Sequence, residues 1–181
     1  EVVDRQMRTN VGGVFAVTRA VLPGMRERGS GVIINVASLT GLVAMPLYSL
    51  YAASKFAVVG FSESLSHELA PLGIRVKVFA PGAVNTDFSG RSLARTWEGD
   101  GGPYAASIAK VQATFSANRE SGGSASSPEA LAQALLGAAT DGSAQVRYVV
   151  GPDALQVMRL RQELGEEALL AGLRQRFGLA A

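Results

Sequence analysis

Residues 31–82 read GVIINVASLTGLVAMPLYSLYAASKFAVVGFSESLSHELAPLGIRVKVFAPG, and this stretch decides the fold. Val32-Ile33-Ile34-Asn35-Val36 is a short β-branched run bounded by turn residues. It is too continuous to be half exposed, which predicts a strand covered on both faces. From Ser49 to Ala70 the apolar residues Phe56, Val59, Leu65 and Leu69 recur at helical spacing, and Pro71 and Gly73 end the pattern. Ile74 to Ala80 is a second strand, halted by Pro81-Gly82. Strand, helix, strand at this spacing is a parallel βαβ unit, so the fold class is α/β, a doubly wound parallel sheet with helices on both faces.

Upstream, Val11 to Arg28 carries Val14, Val17 and Val21 on one helical face, and Gly29-Ser30-Gly31 stops it. Downstream the texture changes. Residues 86–127 are rich in Gly, Ser and Ala with scattered Trp97, Tyr104 and Phe115, as expected of a mobile insert or lid on the substrate side with a helix or two. Ser127-Pro128-Glu129 is an N-cap, a first-turn proline and a first-turn acid, opening a helix to about Thr140. Val146 to Val150 is a third strand, and the rest is amphipathic helix broken near Gly165.

Composition narrows the function. The 181 residues hold 17 basic and 15 acidic side chains, so the +2 balance, with no Lys/Arg run, indicates no nucleic-acid surface. With no cysteine and one histidine, disulfide scaffolds, thiol catalysis and His-rich metal sites are excluded, and no metal site is expected. Gly29 to Ser54 contains no charge, yet Asn35, Pro46 and several serines and glycines break it too often for a membrane span. A single cytoplasmic domain over residues 1–181 is the expectation. The start, Glu1-Val2-Val3-Asp4-Arg5, has no signal-peptide character and reads as the interior of something longer.

The chemistry gathers between Ser38 and Lys55. Tyr51 and Lys55 are four apart on the predicted helix and share a face. A nearby ammonium favours the phenolate, so it is expected to bring a phenol of pKa near 10 towards working range. Ser38 follows the first strand at the sheet edge where parallel α/β folds bind ligands, with a hydroxyl for a substrate oxygen. Tyr48 has Ala52 rather than a cation four residues on and is expected to line the substrate side. His67 reads as a solvated or interface residue, and Asp87, Trp97, Tyr104 and Phe115 as lid or packing residues.

Asn35-Val36-Ala37-Ser38, Tyr51-Ala52-Ala53-Ser54-Lys55, Pro81-Gly82-Ala83-Val84-Asn85-Thr86 and Thr9-Asn10-Val11-Gly12-Gly13-Val14-Phe15, in these relative places, together resemble the classical short-chain dehydrogenase/reductase family. The resemblance implies an NAD(P)-dependent oxidoreductase that interconverts a secondary alcohol and its ketone, and Leu39, Met45, Leu47, Tyr48 and the aromatic insert suggest a small apolar substrate. The resemblance makes Tyr51 the acid/base, Lys55 its partner and a ribose ligand, Ser38 the group that orients the carbonyl, and Asn10 the holder of a water in a proton relay. Tyr51, Lys55, Pro81, Gly82, Val84 and Thr86 would then contact the cofactor. The family's Gly-rich dinucleotide fingerprint is not among these residues, so the chain resembles the C-terminal two-thirds of such an enzyme, and the residue that selects NADP or NAD is expected in the remainder. The first strand is expected to expose an edge, a homodimer or homotetramer to form through the helices of Val11–Arg28 and Ser49–Ala70, and a non-catalytic interaction module to be the competing reading.

Overall fold

The computed structural model describes residues 1–86, 101–120 and 125–180. Among them, three parallel strands lie in the order β1 (Gly31–Val36), β2 (Ile74–Pro81), β3 (Arg147–Val150). Helix α1 (Val2–Met7) runs through a π-helical turn, Arg8–Gly12, into α2 (Gly13–Arg28), so the first helix begins earlier than its apolar spacing shows. Gly29 ends it in the left-handed conformation, where an L side chain is disfavoured. The crossover from β1 to β2 is α3 (Ser49–Leu69), closed by a 3-10 turn at Ala70–Leu72.

Strand parity sorts the helices. On β2, Ile74, Val76, Val78 and Ala80 point one way, and the clusters they form include Val58, Val59, Leu65 and Leu69 of α3 together with Leu22 and Met25 of α2. Lys77 points the other way and reaches Ala138 of α5 (Pro128–Thr140). The strand covered on both faces is therefore β2. The expectation of full cover for β1 fails at Val36, which is 47% exposed, because β1 lies at the edge of the described sheet. Pro81 belongs to β2 rather than stopping it, since its missing N–H is tolerated at the strand's last position.

Helix α4 (Ala105–Glu120) lies in the predicted insert, preceded by a 3-10 turn at Gly102–Tyr104. Residues 87–100 and 121–124, including Asp87 and Trp97, fall outside the described residues. Ser127 caps α5 by accepting the Ala130 N–H at 3.1 Å. After β3, α6 (Pro152–Leu164) and α7 (Glu166–Arg176) are separated by Gly165 at φ 80°, which is the expected break. A third cluster joins these last helices to the site end of the molecule, with Leu169, Leu173 and Phe177 packing on Val43 and Val111. No helix among the described residues is long and apolar enough to cross a membrane.

Candidate active site

Register brings the site together. Val36 pairs with Phe79 and Pro81 with Val150, so Ala37-Ser38, Gly82-Ala83 and Gly151-Pro152-Asp153 all leave the sheet at its carboxyl edge. Open parallel sheets present their binding crevice there.

Ser38 has extended backbone and opens a 3-10 turn, Leu39–Gly41, its Oγ accepting the Thr40 N–H at 3.1 Å. That turn sits hard against α3. A methyl placed at Gly41 would lie 2.8 Å from the Lys55 carbonyl oxygen, so glycine permits the close approach that sets Ser38 beside the helix. The Ser38 hydroxyl acts on the Tyr51 phenol, drawing its pKa down. Lys55, one turn further along, sits with Nζ 5.6 Å from the Tyr51 ring centroid and donates to the Val36 carbonyl at 3.0 Å. Serine, tyrosine and lysine thus form one constellation.

Asn10 belongs to it through α3. It lies in the π-helical turn, a distortion common at functional sites, and its Nδ2 donates to Ser54 Oγ at 3.1 Å. Ser54 is completely buried and passes its own hydrogen to the Tyr51 carbonyl at 2.7 Å. The chain Asn10, Ser54, Tyr51 fixes the first turn of α3 against α1–α2. Ser54 was not legible as a site residue because a serine in a helix interior has many bland uses.

The electrostatics differ from the sequence expectation. Burial raises the Tyr51 phenol above its ordinary value, the Ser38 hydrogen bond draws it partly back, and Tyr48 adds to the rise. Burial also lowers the Lys55 ammonium. The net direction at Tyr51 is therefore upward, with Lys55 Nζ 5.6 Å from the ring centroid and donating to the Val36 carbonyl.

An aromatic series runs outward from the phenol. Tyr51 to Tyr48 is 6.1 Å between centroids, Tyr48 to Phe115 is 5.6 Å, and Phe115 to Phe177 is 5.0 Å, all tilted or edge-on. Tyr48 thus lies beside Tyr51 and Phe115 beside Tyr48, while Tyr104 is 71% exposed and His67 is exposed in the last turn of α3. A separate cavity of 520 Å³, lined by Phe56, Gly60, Met158 and Arg161 among others, contains none of Ser38, Tyr51 or Lys55.

The Pro81–Thr86 segment is held by its own backbone. Gly82 N–H donates to the Val150 carbonyl, Asn85 N–H to the Ser126 carbonyl and Thr86 N–H to the Val84 carbonyl. Among the described residues the Val84 N–H meets no protein acceptor, which leaves a donor for a ligand amide. Ala83 N–H donates to Asp153 Oδ2 at 2.7 Å. Asp153 was missed by sequence reasoning, where Gly151-Pro152-Asp153 reads only as a helix start. No cluster of metal-ligating side chains occurs among the described residues.

A family model described as short chain dehydrogenase matches residues 1–96. An uncharacterized oxidoreductase of Schizosaccharomyces pombe is 34% identical over 179 residues, which take in 99% of this chain and 73% of that protein. Among solved structures, a short-chain dehydrogenase from Streptomyces avermitilis is similar at a TM-score of 0.71 and 32% identity, over 94% of this chain and 62% of that one. One from Burkholderia cenocepacia, in complex with NADP, gives a TM-score of 0.69 at 25% identity, over 96% of this chain and 59% of that one. The chain therefore spans about three fifths of the length of these two structures.

Proposed function

The chain belongs to the short-chain dehydrogenase family, and from that membership we propose that it carries the catalytic part of an NAD(P)-dependent oxidoreductase interconverting a secondary alcohol and a ketone. The observation that carries the reading is the placing of Lys55 Nζ 5.6 Å from the Tyr51 ring on the next turn of the same helix, with the Ser38 hydroxyl acting on the phenol. A nicotinamide dinucleotide, when bound, supplies or accepts the hydride. The Val84 N–H and the Thr86 hydroxyl would hold its carboxamide, Pro81 and Gly82 would let the backbone approach its ring, and Tyr51 and Lys55 would reach its ribose. NADP and NAD both fit these residues.

The protein's own part is acid/base chemistry and position. In reduction Tyr51 gives its proton to the substrate oxygen, and in oxidation it takes that proton back. Ser38 shares the same oxygen and holds it within reach of the phenol. Its bond to Tyr51 is the one a substrate oxygen would enter. Lys55 presents a cation behind the phenol, and Asn10, tied to the helix through Ser54, would hold the water that connects Lys55 to solvent. Tyr48 and Phe115 make the substrate side apolar, in keeping with an apolar alcohol or ketone.

Tyr51→Phe in the intact gene product is the test. It should lower turnover by about two to four orders of magnitude while leaving cofactor affinity within a fewfold. Near-normal turnover would refute the assignment. Phe15, Val17, Val21 and Phe56 are exposed on α2 and α3 and support homo-oligomerisation through these helices. A monomer in size-exclusion chromatography with light scattering would remove that part.

A further inference from the structure

Asp153, in the first turn of α6, touches the Pro81–Thr86 segment with a charged side chain. Its two oxygens do different things. Oδ2 accepts the Ala83 N–H at 2.7 Å. Oδ1 is buried and has no hydrogen-bond partner among the described residues. It lies directly against Gly82, where a methyl group would overlap the carboxylate, and 3.0 Å from where a methyl on Gly151 would stand. Gly151 itself is held at φ 108°, a conformation open to glycine, which carries the chain from β3 into α6 and swings Asp153 under the segment.

A buried carboxylate oxygen without a partner is costly, and a native fold keeps such a group only where something offsets the cost. The start of α6 offsets part, because the positive end of the helix dipole favours an acid in the first turn. The remainder calls for a use. We propose that Asp153 is a positioning residue for the nicotinamide site: it holds Gly82 and Ala83 from beneath and places an unpaired negative charge behind the backbone on which the nicotinamide would rest. This rests on the function proposed above. The oxidised nicotinamide ring carries a positive charge and the reduced ring none, so a fixed negative charge stabilises the oxidised form selectively. A protein that binds the oxidised cofactor more tightly than the reduced one shifts the bound equilibrium towards ketone reduction, the direction that consumes the reduced form.

The experiment uses the intact gene product that contains this chain, with calorimetric titration of NAD⁺, NADH, NADP⁺ and NADPH. Asp153→Asn keeps an oxygen for the Ala83 N–H and removes the charge. It should weaken the oxidised form of whichever dinucleotide binds by about fivefold or more and leave the reduced form within about twofold. A purely structural role would move both affinities together. An unchanged ratio of oxidised to reduced affinity in Asp153→Asn would overturn the charge effect. Asp153→Ala, read without cofactor, should speed hydrogen exchange of the Ala83 amide by about tenfold; unchanged protection would overturn the holding role. If the unsubstituted protein binds none of the four dinucleotides, the proposed function fails and the charge effect with it, while the exchange measurement still decides whether Asp153 holds the segment.

Discussion

Gly41→Ala turns the contact between the Ser38 turn and α3 into a number. Gly41 does not have a positive φ, so chain entropy alone makes alanine the better residue there, by about 0.4–1 kcal/mol. Packing predicts the opposite sign. The new methyl would meet the Lys55 carbonyl oxygen at 2.8 Å, its carbonyl carbon at 2.9 Å and the Lys55 Cβ at 3.0 Å, where ordinary contact begins near 3.4 Å. Two of the three obstacles are helix backbone and cannot rotate away. The Leu39–Gly41 turn must therefore retreat by about 0.6 Å, and overpacking of this kind costs about 1–3 kcal/mol. Ser38 moves with the turn, away from Tyr51. Since a misplacement of about 1 Å in a catalytic set costs roughly a hundredfold, 0.6 Å should cost about tenfold in kcat/KM. Denaturant unfolding and steady-state kinetics of the intact gene product read the two effects separately. A variant as stable as the parent and within twofold of its kcat/KM would show that the turn does not set the Ser38–Tyr51 geometry.

Three further outcomes follow from named contacts. Ser38→Ala removes the hydrogen bond that draws the Tyr51 phenol down, so the Tyr51 phenolate absorbance, taken as the difference from Tyr51→Phe, should titrate at higher pH than in the parent; an unchanged or lower midpoint would contradict the bond. Lys77 is 1% exposed and donates to the Ala138 carbonyl, Asp141 Oδ1 and Tyr148 OH at 2.8, 2.6 and 2.9 Å, so Lys77→Met should destabilise by about 3 kcal/mol in urea unfolding, the low end for a broken buried pair because Asp141 is 32% exposed; a loss under 1 kcal/mol would refute it. Lys77, first, and Tyr148 and Ser143 hold the Asp141 carboxyl well below its usual range, a contribution to stability present above the unfolded carboxyl pKa near 4 and lost as pH falls through the lower folded value, so the acid limb of stability should flatten in Lys77→Met and stay steep in the parent.

The fold was legible wherever a pattern had a single physical cause. β-branched runs ended by turn residues gave the strands, and the Ser127 cap and the Gly165 break are single-residue signals that the structure repeats. What the sequence hid was pairwise. Lys77 reads as an ordinary polar residue in a strand, and only the register of β2 against α5 and β3 shows that it is buried among an acid, a phenol and a helix carboxyl end. Asp153 is invisible for the same reason: its partner, Ala83, is 70 residues away and joined to it only by the pairing of β2 with β3. Gly41 has no turn that demands glycine, and the need for it arises from a helix that the local sequence does not describe. In the candidate site, spacing alone put Tyr51 and Lys55 on one face, while the sign of their electrostatic environment depended on burial.

That sign bears on how the site divides its work. A phenol raised by burial is a weaker acid and is less readily ionised, so the rise opposes both the proposed donor role in ketone reduction and the proposed base role in alcohol oxidation. Lys55 does not remove the opposition here, because burial lowers the ammonium as well and its proton is directed to the Val36 carbonyl. Each of the two groups is pushed by desolvation towards its neutral form. A positive charge entering beside Tyr51 would act on the phenol before it acted on Lys55, lowering the one and lowering the other further. Both proposed roles therefore gain from a positive charge that enters beside Tyr51. Ser38 already draws the phenol down, which makes its hydroxyl an electrostatic as well as a positioning group.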